Sequence, residues 1–289
     1  MMSQAEIARL VEIIRATAIL TLVVLFGLFT PTPVRADSPF SSWAAVVVAG
    51  DWHSHSGGPS EAFDNARRDV ARGLVGLGFI PARVTQFSAR ARRPGGERIA
   101  RAYPDAIYGA LKELARNTTG GCLVYITSHG DSDGVLVGDD IVSPRKLARM
   151  LDETCGDRLT VAIVSACYSG VFVPALASPT RMVLTASRPD RSSFGCGETD
   201  KYPYFDACFL AELPRARDFP GLGHAVQNCV ARRERQAHAS PPSQPQLSVG
   251  TTIAPMLRRY AFRHGKPSIC GSNANSNSNS TSLPAPSHC

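Results

Sequence analysis

No two cysteines in this 289-residue chain stand in a C-x-x-C spacing, although eight are present. That argues against the common zinc sites, which draw paired ligands from such a step. His53 and His55 alternate without a nearby third ligand and read as a solvated loop. No metal and no other cofactor is expected. Charge is ordinary for a globular chain at 19% of residues, and the net charge of +7 comes from scattered arginines with no nucleic-acid reading module among them. Nucleic acid is therefore not an expected partner, and the basic balance implies no more than mild attraction to acidic surfaces or substrates. Beyond residue 29 no apolar run approaches the roughly 20 residues of a membrane span.

What is present begins at the N-terminus. Arg9 and Arg15 precede an apolar stretch from Ala16 to Phe29, short for a span. Thr30-Pro31-Thr32-Pro33 breaks it, and Val34-Arg35-Ala36 offers small residues for cleavage. Residues 1–36 are expected to be a secretory signal peptide, with an uncleaved signal anchor as the alternative. The protein is expected to be exported, periplasmic or secreted, with no stable membrane insertion after cleavage. Cleavage removes three Arg and two Glu and turns +7 into +6. All eight cysteines follow the cleavage site, and export permits disulfides. If Cys167 stays free as a nucleophile, seven remain. Cys122, at the start of a buried strand, reads as an inert core thiol. Cys155, Cys196, Cys208, Cys229, Cys270 and Cys289 are left for three bridges whose pairing stays open. Cys270 with Cys289 would staple the tail, and Cys196 with Cys208 would staple a loop.

Val/Ile-rich runs alternate with helical periodicity along the rest of the chain. A strand is expected at 44–49, a helix from Ser60 to Leu77 with Ser60 as N-cap, and a strand near 83–87. A helix at 104–115, a strand ending at His129, a hairpin at 135–142 and a helix at 144–151 follow. Next come a strand ending at Cys167, a strand at 182–186, and helices at 204–213 and 224–238. Residues 247–262 could add an edge strand. This alternation predicts an α/β fold, a mostly parallel sheet with helices on both faces. The tail, 266–289, is low-complexity and polar and cannot bury a core. The globular part is therefore placed at 37–265.

Two of these strands end in reactive side chains. GCLVYITSHG places His129-Gly130 at its tip, and LTVAIVSACYSG places Ala166-Cys167. Open parallel sheets carry their sites beyond the carboxyl ends of their strands, so this His and Cys are expected to face one cleft. A thiol becomes a good nucleophile when a base stands near or its pKa is lowered. The Ser-Gly turn after Cys167 leaves room for a helix N-terminus that would stabilise a thiolate. Asp131 and Asp133 read as a turn with Gly134.

These residues also carry a resemblance. A strand ending in His-Gly followed by one ending in Ala-Cys is similar to the caspase and legumain group of cysteine peptidases. Ser128-His129-Gly130, Ser165-Ala166-Cys167-Tyr168-Ser169-Gly170 and Thr185-Ala186-Ser187-Arg188-Pro189 with Ser192-Ser193-Phe194 resemble the legumain-like peptidases, family C13, over roughly residues 43–215. The resemblance implies a caspase-like three-layer sandwich and a protein or peptide substrate. It implies Cys167 as nucleophile, His129 as general base and acid, the amides of Gly130 and Cys167 as oxyanion hole, and Ser192 and Ser193 along the substrate. The pair acts there as a dyad without a required third residue. Legumains cut after Asn with an Arg-His pair in the first loop and acidic residues beside the nucleophile. Here the loop holds His53, His55 and Glu61, with no Arg before Arg67, and Ser165 and Tyr168 flank Ala166-Cys167, so that preference does not transfer. The leading expectation is an exported cysteine endopeptidase. A transamidase or peptide ligase, and a non-catalytic binding module, are the alternatives. The oligomeric state is not legible.

Overall fold

The computed structural model describes residues 38–90 and 99–262. The signal-peptide and tail expectations, and Cys270 and Cys289, lie outside these residues. Nine strands and seven α-helices make up the described part. They are β1 (Ala44–Ala49), α1 (Ala62–Leu77), β2 (Val84–Ser88), β3 (Ala100–Arg101), α2 (Pro104–Arg116), β4 (Cys122–Thr127), β5 (Val135–Val137), β6 (Asp140–Val142) and α3 (Pro144–Thr154). Then follow β7 (Thr160–Ser165), α4 (Phe172–Leu176), β8 (Arg181–Thr185), α5 (Tyr204–Glu212), α6 (Phe219–Gln236), β9 (Gln246–Val249) and α7 (Ile253–Arg259).

Seven strands form one sheet in the order β3-β2-β1-β4-β7-β8-β9, and β5 with β6 forms a separate hairpin. All pairings in the large sheet are parallel except β8 with β9. The central strands are buried along their whole length, which is why they read as continuous Val/Ile runs rather than alternating ones. Alternate residues feed two cores. Val47, Tyr125, Ile163 and Leu184 pack with residues of α1, α5, α6 and α7. Val46, Val124, Val164 and Val183 pack with residues of α2, α3 and α4. The result is a three-layer α/β sandwich, as expected.

The chain runs outward from β1 to β2 and β3, then returns to place β4 on the other side of β1. This reversal puts a topological switch point between β1 and β4, the usual place for a crevice at the carboxyl ends of parallel strands.

Local chemistry explains most element ends. Phe63, Ala66, Val70 and Leu74 of α1 are all buried, as their helical spacing predicts. Gly78 ends the helix at φ +103°, a left-handed conformation that costs glycine little. The start differs from expectation: α1 begins at Ala62, not Ser60. The Ser60 hydroxyl accepts from the Ala62 amide at 3.2 Å and donates to the Gly197 carbonyl at 3.0 Å, so it ties two loops together. The expected strand over 247–262 stops at Val249. The amides of Thr252 and Ile253 then both donate to the Pro179 carbonyl, and Ile253 and Leu257 bury one face of α7.

Two cysteine expectations are overturned. Cys122 is not an inert core thiol but is bonded to Cys155. Cys155 caps the C-terminus of α3, four residues past the buried Leu151, and packs over this side of the sheet. Cys208 pairs with Cys229 rather than Cys196, because α5 and α6 lie against each other. Crosslinks closing loops of 33 and 21 residues constrain the unfolded chain by about 3–4 kcal/mol each.

Candidate active site

Loops after β1, β4 and β7 converge at the switch point. Beyond β4, the Ser128 amide donates to the Ser165 carbonyl at 3.0 Å, and the Leu136 amide donates to the His129 carbonyl at 3.0 Å. Gly130 bridges Val135, and Asp131 Oδ1 accepts from the amides of Asp133 and Gly134 at 2.8 and 3.1 Å. The Asp131 turn is the one anticipated, and the His-Gly pair is clamped between strand and hairpin. A Cβ built on Gly130 would lie 2.8 Å from the Cys167 carbonyl oxygen and 2.9 Å from the Ala166 Cβ. Only glycine admits so close an approach, and it brings the two strand tips together.

His129 retains 20% side-chain exposure. Its ring packs T-shaped on that of Phe63, with centroids 5.1 Å apart, and Nε2 lies 3.0 Å from the His53 carbonyl oxygen. A carbonyl only accepts, so Nε2 carries the proton, and Nδ1 is the nitrogen with a lone pair in the neutral ring. Burial lowers the His129 pKa from the ordinary value, with the His53 carbonyl and the Asp51 carboxylate opposing that shift.

Cys167 follows β7 into a tight exit. The Ala166 carbonyl accepts from the hydroxyls of Ser169 and Ser187 at 2.7 and 3.2 Å, and those two serines also bond each other's backbone amides. Tyr168 sits at φ +55°, a conformation costly for a residue with a Cβ, and its amide donates to the Arg191 carbonyl at 2.8 Å. One 3₁₀ turn over Ser169–Val171 then leads into the five-residue α4.

Cys167 is almost fully buried, at 1% exposure. The Ser193 amide donates to Sγ at 3.2 Å, and Ser193 Oγ lies 3.8 Å away. The Ser192 side chain also bears on the thiol, in the direction that favours its charged form. Both serines expected along the substrate thus act on the sulfur in this state. The expected stabilisation of a thiolate by a following helix is not found. Burial pushes the Cys167 thiol up to about 11, outweighing the Ser193 hydrogen bonds and the Ser192 side chain, and a neighbouring Cys196 adds to the rise. The helix begins too far along the chain and is too short to counter desolvation. Alkylation of resting protein by iodoacetamide should therefore be slow at Cys167 at neutral pH and rise about tenfold per pH unit toward about 11. Peptide mapping of the labelled thiol checks this, and a plateau already reached by pH 8 would contradict it.

Beneath the two tips lies Asp206, on the first turn of α5 and fully buried. It accepts from Thr127 Oγ1 at 2.9 Å, from Ser165 Oγ at 2.8 Å and from the Tyr125 hydroxyl. It therefore binds β4 and β7 together two residues before His129 and Cys167. Burial raises its pKa to about 6 against those three donors. The sequence reading passed over Asp206, although an acid within the apolar Tyr204–Phe209 run was a visible signal. It also passed over Asp51, the second residue beyond β1. His55 and Glu61 fall in the same loop as His53, whereas Arg67 is buried and held by Asp64 and Gln86.

Residues 104–222 match the family model described as Peptidase C13 family. No curated protein matches the chain. Among solved structures, the crystal structure of caspase-1 from Spodoptera frugiperda is similar at a TM-score of 0.53 and 17% identity, over 76% of this chain and 92% of that chain. At that identity the likeness concerns the fold. The segment that carries both strand tips matches the Peptidase C13 family and is set in a caspase-like sandwich, which supports a cysteine-peptidase type of function.

Proposed function

We propose that this protein is an exported cysteine endopeptidase in which Cys167 attacks the substrate carbonyl and His129 moves the proton. The observation that supports this most is the close approach of Gly130 to the backbone of Cys167, which brings the tips of β4 and β7, with His129 and Cys167, next to each other. In this reading the neutral His129, protonated on Nε2, takes the thiol proton on Nδ1 as the C–S bond forms. The imidazolium then protonates the leaving amine, and water hydrolyses the thioester. The amides of Gly130 and Cys167 hold the developing oxyanion. Substrate binding displaces Ser192 and Ser193 from the sulfur and frees their polar groups for the peptide backbone.

Turnover of a peptide library, with mass spectrometry of quenched enzyme, tests the reading. A peptide acyl group on Cys167 supports it, and ligation of the acyl part to an added peptide amine in preference to hydrolysis would move the assignment to a transamidase. No turnover and no adduct would leave the binding-module alternative. Gly130→Ala is expected to lower kcat by about 100-fold, because its methyl group pushes one oxyanion donor out of place. Steady-state kinetics on variant protein with an unchanged circular dichroism spectrum checks it.

A further inference from the structure

The segment that closes over Cys167 is held from behind by a distant part of the chain. It leaves β8 at Ala186 and runs through Arg188, Asp190 and Arg191 to Ser192 and Ser193, whose amide reaches the sulfur at 3.2 Å. The β8–β9 ladder ends where Thr185 pairs with Gln246. One bond continues beyond it: the Arg188 amide donates to the Ser243 carbonyl at 2.9 Å. Ser243 is in turn fixed by Glu234, near the end of α6 and only 2% exposed. The Glu234 carboxylate accepts from the Ser243 amide at 3.2 Å and from the Ser243 hydroxyl. Two turns earlier on the same face of α6, Gln227 donates through Nε2 to the Pro245 carbonyl at 2.8 Å. Between these anchors Gln244 sits at φ +55°, a costly conformation for a residue with a Cβ, and its Oε1 accepts from Arg188 Nη1 at 3.1 Å. Arg188 also grips Asp190, through Nε at 2.9 Å and Nη2 at 3.1 Å.

We propose that Glu234 is a positioning residue for the substrate wall: through Ser243 and Arg188 it holds residues 188–193 closed over Cys167 in the resting protein and in place along a bound peptide. This inference rests on the peptidase reading for its effect on turnover, and on geometry alone for its effect on the thiol. A buried carboxylate is costly unless its oxygens are satisfied, and burial raises the Glu234 pKa against the Ser243 hydrogen bonds. A ladder of backbone bonds would join β8 to β9 without it; what the carboxylate adds is the grip on residue 243, beyond the ladder. With that acceptor gone, the Ser243 amide and hydroxyl are left unpaired in the interior, and the chain at 243–245 leaves α6. Arg188 then loses both its backbone and its side-chain partner. Ser192 and Ser193 draw back, water reaches the sulfur, and the thiol pKa falls, because burial is what raised it.

Iodoacetamide at neutral pH should label Cys167 about tenfold faster in Glu234→Ala than in the parent, the equivalent of about one unit of thiol pKa, read by peptide mapping. Glu234→Gln keeps an acceptor for Ser243 and should return the rate to within about threefold of the parent. Leu111→Ala truncates a buried side chain of α2, on the other side of the sheet, and reports the effect of lost stability alone; its rate should stay near the parent's. In turnover, Glu234→Ala should raise KM about tenfold with kcat within about twofold, since the wall holds substrate but carries neither reacting group. A folded Glu234→Ala protein labelled at the parent's rate, or a Gln variant labelled as fast as the Ala variant, overturns the proposal. If Glu234→Ala does not fold, amide exchange of the unsubstituted protein decides. The protection of the Arg188 and Ser243 amides, followed by NMR, should agree within about tenfold, and a larger difference overturns the proposal equally. Labelling and exchange need no turnover, so their failure is distinct from failure of the peptidase reading, which peptide cleavage reports separately.

Discussion

Cys167→Ala is expected to reduce peptide turnover by about 10⁴-fold or more while leaving the fold intact. The size follows from the role: removing the nucleophile of a cooperating pair leaves only binding and oxyanion stabilisation, and single removals of this kind cost nearly as much as losing the whole set. The small structural effect follows from the surroundings. Cys167 lies in a minor cluster with Ala49, Phe63 and Cys196, apart from the two main cores. The substitution removes one sulfur and its contact from the Ser193 amide. That is worth about 1 kcal/mol, or 2–4 °C in Tm for a domain of this size. Turnover and a thermal melt on the same preparation check both halves. Residual activity within tenfold of the parent would move the chemistry away from this sulfur.

The second large effect concerns stability. Asp206→Ala should lower Tm by about 10 °C, because three buried hydroxyls, from Tyr125, Thr127 and Ser165, lose their common acceptor at about 1–3 kcal/mol each when unsatisfied. Asp206→Asn retains an acceptor and should cost much less, and it isolates the charge. In the folded protein the Asp206 pKa is raised to about 6, whereas the unfolded side chain titrates near the model value of 3.8. Its contribution is therefore fully present below about pH 4 and is lost as pH rises to about 6. A shift of about two units corresponds to about 3 kcal/mol. Between pH 4 and 6.5 the parent should lose stability relative to Asp206→Asn, and above pH 6.5 the difference between them should be constant. Paired chemical denaturation across that range measures it. Parallel curves would show that Asp206 is ionised throughout.

The strands bearing the site were legible because a buried parallel strand needs apolar residues on both faces. GCLVYITSHG and LTVAIVSACYSG could be read as strands with reactive tips before any coordinate. The turn at Asp131 was equally legible, since an Asx turn closes within a few residues. Cys122 was misread because its partner sits 33 residues on, across the packing of α3 on the sheet. The protonation of Cys167 was misread for a related reason. A Ser-Gly turn is visible in a sequence, but the serines at 192 and 193 that close over the sulfur come from another loop. Asp206 and Asp51 are ordinary acids in the sequence and become part of the site only through neighbours supplied by other strands.

The sequence alone determined the layered α/β arrangement, the order of its elements and the two strand tips that carry His129 and Cys167, because hydrophobic periodicity and the residues next to it are local properties. The tertiary structure alone decided which cysteines are bonded, that the thiol is held protonated under Ser193, and that Asp51 and Asp206 stand behind and beneath the pair. Burial and charge act through space, between side chains that β1, β4, β7 and α5 bring together from distant parts of the chain.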